Sequence, residues 1–168
     1  MYPKILALNK TKTLSLVYFT GLLAVSIIAP LFHFQLITGI IVNACLLIAT
    51  SILGVQAGIM LGILPSLIAL SVGTLPIPLA PMVPFIMASN AIMVVVFSGV
   101  RHMSDTIAII SASVLKFLFL FSTSYIVVNL IAQKPISQKI SQMMSWPQLT
   151  TALLGGFFAF TFLKFYKK

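Results

Sequence analysis

A single acidic residue, Asp105, stands in a chain of 168. That scarcity excludes more than any motif establishes. No carboxylate pair is available for acid–base chemistry. One acid and two separated histidines, His33 and His102, are too few titratable groups for such an enzyme. Proton-driven carriers use acids buried in their spans, and this chain offers none there. The one cysteine, Cys45, excludes an internal disulfide and a cysteine-rich metal site. HExxH, a glycine–lysine phosphate loop and GxSxG are also absent. The sequence therefore predicts no enzyme and no cofactor. Charged residues amount to only 7%, where a soluble domain carries about 25%. The chain cannot cover itself against water, and with 60% hydrophobic residues it reads as an integral membrane protein.

What is present begins with ten Lys and Arg and a net charge of +9. These residues sit mainly at the two chain ends rather than along one face, which argues against nucleic acid and for membrane orientation and contact with anionic lipid. A span needs roughly 20 apolar residues, and six candidates are expected: 14–29, 36–53, 57–72, 84–99, 105–132 and 147–165. The first has the length of a full span and no small-residue cleavage site, so it is expected to be a retained helix, not a signal peptide. Counting basic residues on alternate sides puts Lys4, Lys10, Lys12, Arg101, Lys164, Lys167 and Lys168 on one side and Lys134 and Lys139 on the other. The richer side is expected to be cytoplasmic. The fold class is thus an all-α integral membrane protein: one domain over 1–168, a bundle of six transmembrane helices with both termini cytoplasmic. The halves show no sequence repeat, so an inverted-repeat carrier is not supported.

Two segments then face outward. In 134–148, Ile136, Ile140 and Met143 or Met144 recur at helical spacing among Ser, Gln and Lys, which predicts a short helix at the membrane surface between spans five and six. Ser145 and Pro147 suit the start of the sixth helix, and Trp146 suits the interface. Ser104 and Asp105 similarly suit the start of the fifth. The other segment, "LPIPLAPMVPFIMASN", holds Pro76, Pro78, Pro81 and Pro84. Proline lacks an amide donor and breaks helices, so a non-helical stretch is expected here, either a plain surface loop or a rigid lid over an outward-facing cavity.

Lys116 is the sharpest single signal. It lies eleven residues into span five, about 16 Å along the helix and near the bilayer centre. Asp105 lies about three turns away, too far to pair with it. Lys116 is then deprotonated, bonded to neutral groups, or open to an anionic ligand. Asn90, two turns into span four, suits either ligand contact or helix–helix bonding; Asn43 and Asn129 favour the latter. His33 is a candidate ligand contact, His102 a solvated loop residue. Gly54, Gly58 and Gly62 form GxxxGxxxG, which lets a helix of this chain or of a partner approach closely; Thr151, Gly155 and Ala159 form a weaker version.

Several stretches resemble the substrate-binding S components of energy-coupling factor (ECF) transporters, importers of vitamins and similar micronutrients: "ITGIIVNA", "GVQAGIMLGILPSLIAL", "PLAPMVPFIMASN", "VLKFLFL" and "WPQLTTALLGG". The resemblance covers most of the chain. It implies a prokaryotic cell-membrane protein that binds one small substrate at the outer side, under the loop 73–84. It also implies docking on a shared membrane coupling subunit powered by two cytosolic ATPases, which would explain a carrier-like bundle without coupling acids. The family often uses an Asn late in the "P…N" segment and a Lys in span five, positions matched by Asn90 and Lys116. With His33, Pro81 and Trp146 these make up the expected substrate site. The family's AxxxA docking pattern in span one is missing; Gly21, Val25 and Ala29 come nearest, so Gly54, Gly58 and Gly62 become the candidate docking residues. Two other classes stay open: an accessory membrane subunit that binds no solute, and an oligomeric passive channel.

Overall fold

The structure, a computed structural model, describes residues 3–32, 34–73, 75, 77–130 and 134–166. Among these it is helical with no strand: α1 (Pro3–Ile28), α2 (Gln35–Leu53), α3 (Val55–Val72), α4 (Val83–Val100), α5 (Asp105–Leu130), α6 (Lys134–Met143) and α7 (Trp146–Tyr166). Six helical stretches are long and apolar enough to cross a membrane. Connections of a few residues make neighbouring helices antiparallel. The bundle therefore has a terminal end, where α1 begins and α7 finishes, and a loop end bearing the proline-rich segment and α6.

Helix boundaries follow local chemistry. Pro30 closes α1 through a short 3₁₀ turn, Ala29–Phe32. The connection between the second and third spans, expected over 54–56, shrinks to one residue: Gly54 alone turns the chain with φ 95°, and Gln56 and Ala57 already lie in α3. Gly73, left-handed at φ 75°, ends α3 by donating its amide to the Ala69 and Leu70 carbonyls. The proline-rich segment is not the non-helical stretch expected. Ile77–Met82 winds into a 3₁₀ helix containing Pro81, a form short enough to lose few amide donors to proline. Pro84 then falls in the first turn of α4, where a missing donor does no harm. Ser145 does not cap α7; its hydroxyl donates back to the Gln142 carbonyl at 2.9 Å.

Helix α2 is the centre of the bundle. Its residues from Asn43 to Thr50 are all buried, and α1, α3, α4 and α7 pack around it. Small residues allow that closeness. A Cβ added at Gly155 of α7 would lie 2.8 Å from the Ile40 carbonyl oxygen and 3.0 Å from the Ala44 nitrogen of α2. Two of the three expected docking glycines, Gly58 and Gly62, are covered in the same way and offer no open docking face. Gly58 is buried against Thr50 of α2 and Val94 of α4; a Cβ at Gly62 would meet Asn90 Cβ at 2.8 Å. Gly54 stands in open space at the turn, its role set by its backbone angle.

One apolar cluster, including Leu46, Leu47, Met93, Val94 and Phe97, fills the terminal half. A second joins Leu79 and Met82 of the proline-rich segment to Leu120 of α5 and to Ile140 and Met144. Helix α6 forms between α5 and α7, and its apolar side, with Ile140 fully buried, is covered by protein. The outward sides of the other helices carry exposed Leu118, Phe121, Phe157 and Phe162, as lipid contact requires.

Candidate functional site

Lys116 is buried, 4% exposed, on the inward face of α5 with Ser113, Leu120 and Ser124. Its Nζ donates to Asn43 Oδ1 of α2 at 2.5 Å and to Asn90 Oδ1 of α4 at 2.7 Å. Asn90 Nδ2 in turn donates to the Gly62 carbonyl of α3 at 2.8 Å. Four helices thus meet at one lysine through neutral groups. Pro65 lies near the α3 contact. It sits inside that helix and removes the amide that the Leu61 carbonyl would bind, one residue before the Gly62 carbonyl that accepts from Asn90.

The acid that could have neutralised the lysine is engaged elsewhere. Asp105 accepts from Arg101 Nε at 2.7 Å, one turn apart at the terminal end. Lys116 therefore has two amide oxygens and no counter-charge. An ammonium carries three N–H donors, and two are used.

Lys116 also lines a cavity of about 130 Å³ at the loop end. Its walls come from the second half of α1, the first half of α2, the second half of α3, Leu75 and Leu79 under the proline-rich segment, Ile86 of α4, and the start of α7. Lys116, Asn43 and Asn90 form the floor. The lining is mostly apolar with a few converging polar groups, the usual composition of a small-molecule site.

Of the expected site residues, Asn90 and Lys116 line this cavity together. Pro81 is exposed and does not line it; Leu79, two residues earlier, does. Trp146 points away, 71% exposed, and stacks on Phe117 with ring centroids 6.0 Å apart. Its neighbours Pro147 and Gln148 face the cavity instead. His33 lies outside the described residues. His102 is exposed, its ring bonded to the Gly99 carbonyl at 2.7 Å, and Asn129 is exposed rather than bridging helices.

Sequence reasoning missed Gln35, Thr38 and Gln148, and it treated Asn43 only as helix-bridging. A signal was present. Gln35, Thr38, Gly39, Val42 and Asn43 recur at the spacing of one helix face, and all five line the cavity.

Fold and site together define a multi-pass helical membrane protein with a polar-floored cavity at one end. Compared with known proteins, the chain matches no family model, and neither a curated protein nor a solved structure matches it. The likeness to S components rests on the sequence stretches themselves.

Proposed function

We propose that this protein is the membrane-embedded substrate-binding S component of an ECF-type importer for a vitamin or similar micronutrient. It works in the cell membrane of a prokaryote with both termini in the cytoplasm, so the cavity opens outward. The observation that carries the reading is a buried lysine without a counter-charge, aimed into a small cavity. A buried cation is costly in a bilayer, and an anionic or electron-rich ligand relieves that cost through a charge-assisted hydrogen bond.

Two further features support the reading. On the terminal side of the lysine, Leu46, Leu47, Met93 and Val94 are fully buried in one apolar layer, which opposes a passive pore. The chain's one acid, Asp105, sits at the very start of a span and is paired with Arg101, so no acid is placed to couple ion flow and transport needs an external energy source. A coupling subunit with two ATPases supplies one. The α3 glycines are occupied within the bundle, and the docking surface is assigned to no particular residues.

Gentle purification from the native host followed by native mass spectrometry tests the proposal. A small molecule should travel with the wild-type protein and be lost in Lys116→Met, and the coupling subunit should co-purify. A protein with no bound molecule and no such partner refutes it.

A further inference from the structure

The cavity has a hydrogen-bonding direction as well as a volume. At its floor the unused polar groups are donors. Lys116 has one N–H left after serving Asn43 and Asn90. Asn43 presents its Oδ1 to the lysine and lines the cavity, and its Nδ2 donates to no group among the described residues. Two spare donors on bonded side chains, one of them charged, match the two oxygens of a carboxylate.

At the mouth the unused groups are acceptors. Gln35 begins α2, and Gln148 lies in the first turn of α7. Each donates its Nε2 to the same atom, the Met143 carbonyl oxygen at the end of α6, at 3.1 Å. A carbonyl only accepts, so both amide nitrogens must face it and both Oε1 atoms are left over. Neither Oε1 takes a hydrogen bond among the described residues. Between mouth and floor, the hydroxyls of Thr38 and Thr151 give their protons to the carbonyls of Ala29 and Gln148 and show the cavity only lone pairs. Gln35 and Asn43 are eight residues apart on one helix, about 12 Å along its axis. The volume of about 130 Å³ is close to the roughly 150 Å³ of a cavity that holds benzene.

We infer that the cavity takes a one-ring-sized carboxylate bearing N–H donors at its opposite end. The carboxylate lies on Lys116 and Asn43 and the donors lie under the oxygens of Gln35 and Gln148. This deepens the substrate-binding reading above and rests on it. A ligand with an acceptor at the mouth end would face two amide oxygens and gain nothing there. A ligand without an acid would leave the lysine uncompensated.

The test uses three probes on the purified full chain in detergent, titrated calorimetrically: 4-aminobenzoate, benzoate and aniline. They share a ring and differ in which end is polar. 4-Aminobenzoate should bind roughly tenfold or more tightly than either of the others, since each lacks one polar end. Gln148→Leu should erase its advantage over benzoate, and Lys116→Met its advantage over aniline. Equal binding of all three probes to the wild-type protein overturns this inference while leaving a solute-binding cavity in place. Binding by none, with native mass spectra free of any small molecule, overturns both readings. A co-purifying molecule that carries both groups supports the inference even when the probes do not fit; one that lacks either group overturns it.

Discussion

Replacing Asn90 by leucine keeps the branched heavy-atom skeleton and deletes two hydrogen bonds, one from Lys116 at 2.7 Å and one to the Gly62 carbonyl at 2.8 Å. Two magnitudes compete in setting the outcome. Hydrogen bonds between helices in membranes average only about 0.6 kcal/mol, because the unfolded chain in the bilayer finds other partners. Hydrogen bonds to charged groups contribute about 1.5–3 kcal/mol. Lys116 decides in favour of the larger value: it is 4% exposed, no acid lies near it, and Asn90→Leu leaves it Asn43 alone. We expect Asn90→Leu to destabilise the protein by about 2 kcal/mol. Lys116→Met leaves the amide oxygens of Asn43 and Asn90 without their donor but removes a buried charge, and these effects oppose one another. That variant should stay close to wild type. In the Lys116→Met background Asn90→Leu should therefore cost much less, giving a coupling energy of about 1.5 kcal/mol. Equilibrium unfolding in mixed detergent–dodecyl sulfate micelles, followed by helical content, measures all four proteins. If Asn90→Leu costs the same in both backgrounds, the lysine and asparagine are not coupled and the reasoning fails.

Other outcomes follow from the same packing. Gly155→Leu should prevent α7 from closing on α2, since even a Cβ there would lie 2.8 Å from the Ile40 carbonyl oxygen; a folded monomer eluting normally in size exclusion would contradict it. Gly58→Leu should misfold the isolated protein rather than only weaken a partner contact, because the residue is covered by Thr50 and Val94, and an intact isolated variant would return the glycine row to partner docking. Ser113 is fully buried with no partner for its hydroxyl among the described residues, so Ser113→Ala should raise stability by about 1 kcal/mol; a loss in the same unfolding assay would show that the hydroxyl is satisfied. A reporter active only in the cytoplasm, fused after Lys168, should be active; an inactive fusion on correctly inserted protein reverses the topology and turns the cavity inward.

Much of this protein is legible in its sequence because a bilayer demands it locally. Length and hydropathy mark six spans, since each must satisfy its own backbone bonds across a fixed thickness. Pro30, Gly73 and Pro84 mark helix ends through their own backbone restrictions. Lys116 stands out because it is charged near the middle of a span, whereas Asp105 and Lys164 lie at span ends, and the three- and four-residue spacing of Ile136, Ile140 and Met143 marks α6 as a helix with one apolar side. Tertiary structure decided which faces meet. One of the two partners of Lys116 is an asparagine 73 residues away, and its choice depends on how α2 and α5 are rotated about their axes. That rotation is set by contacts between distant helices, above all Gly155 against Asn43 and Gly62 against Asn90, which no local pattern encodes. For the same reason Trp146 and Gln148, two residues apart at the start of one helix, part company. The first lies outside on Phe117 and the second faces the cavity, because neighbours two positions apart on a helix point in nearly opposite directions.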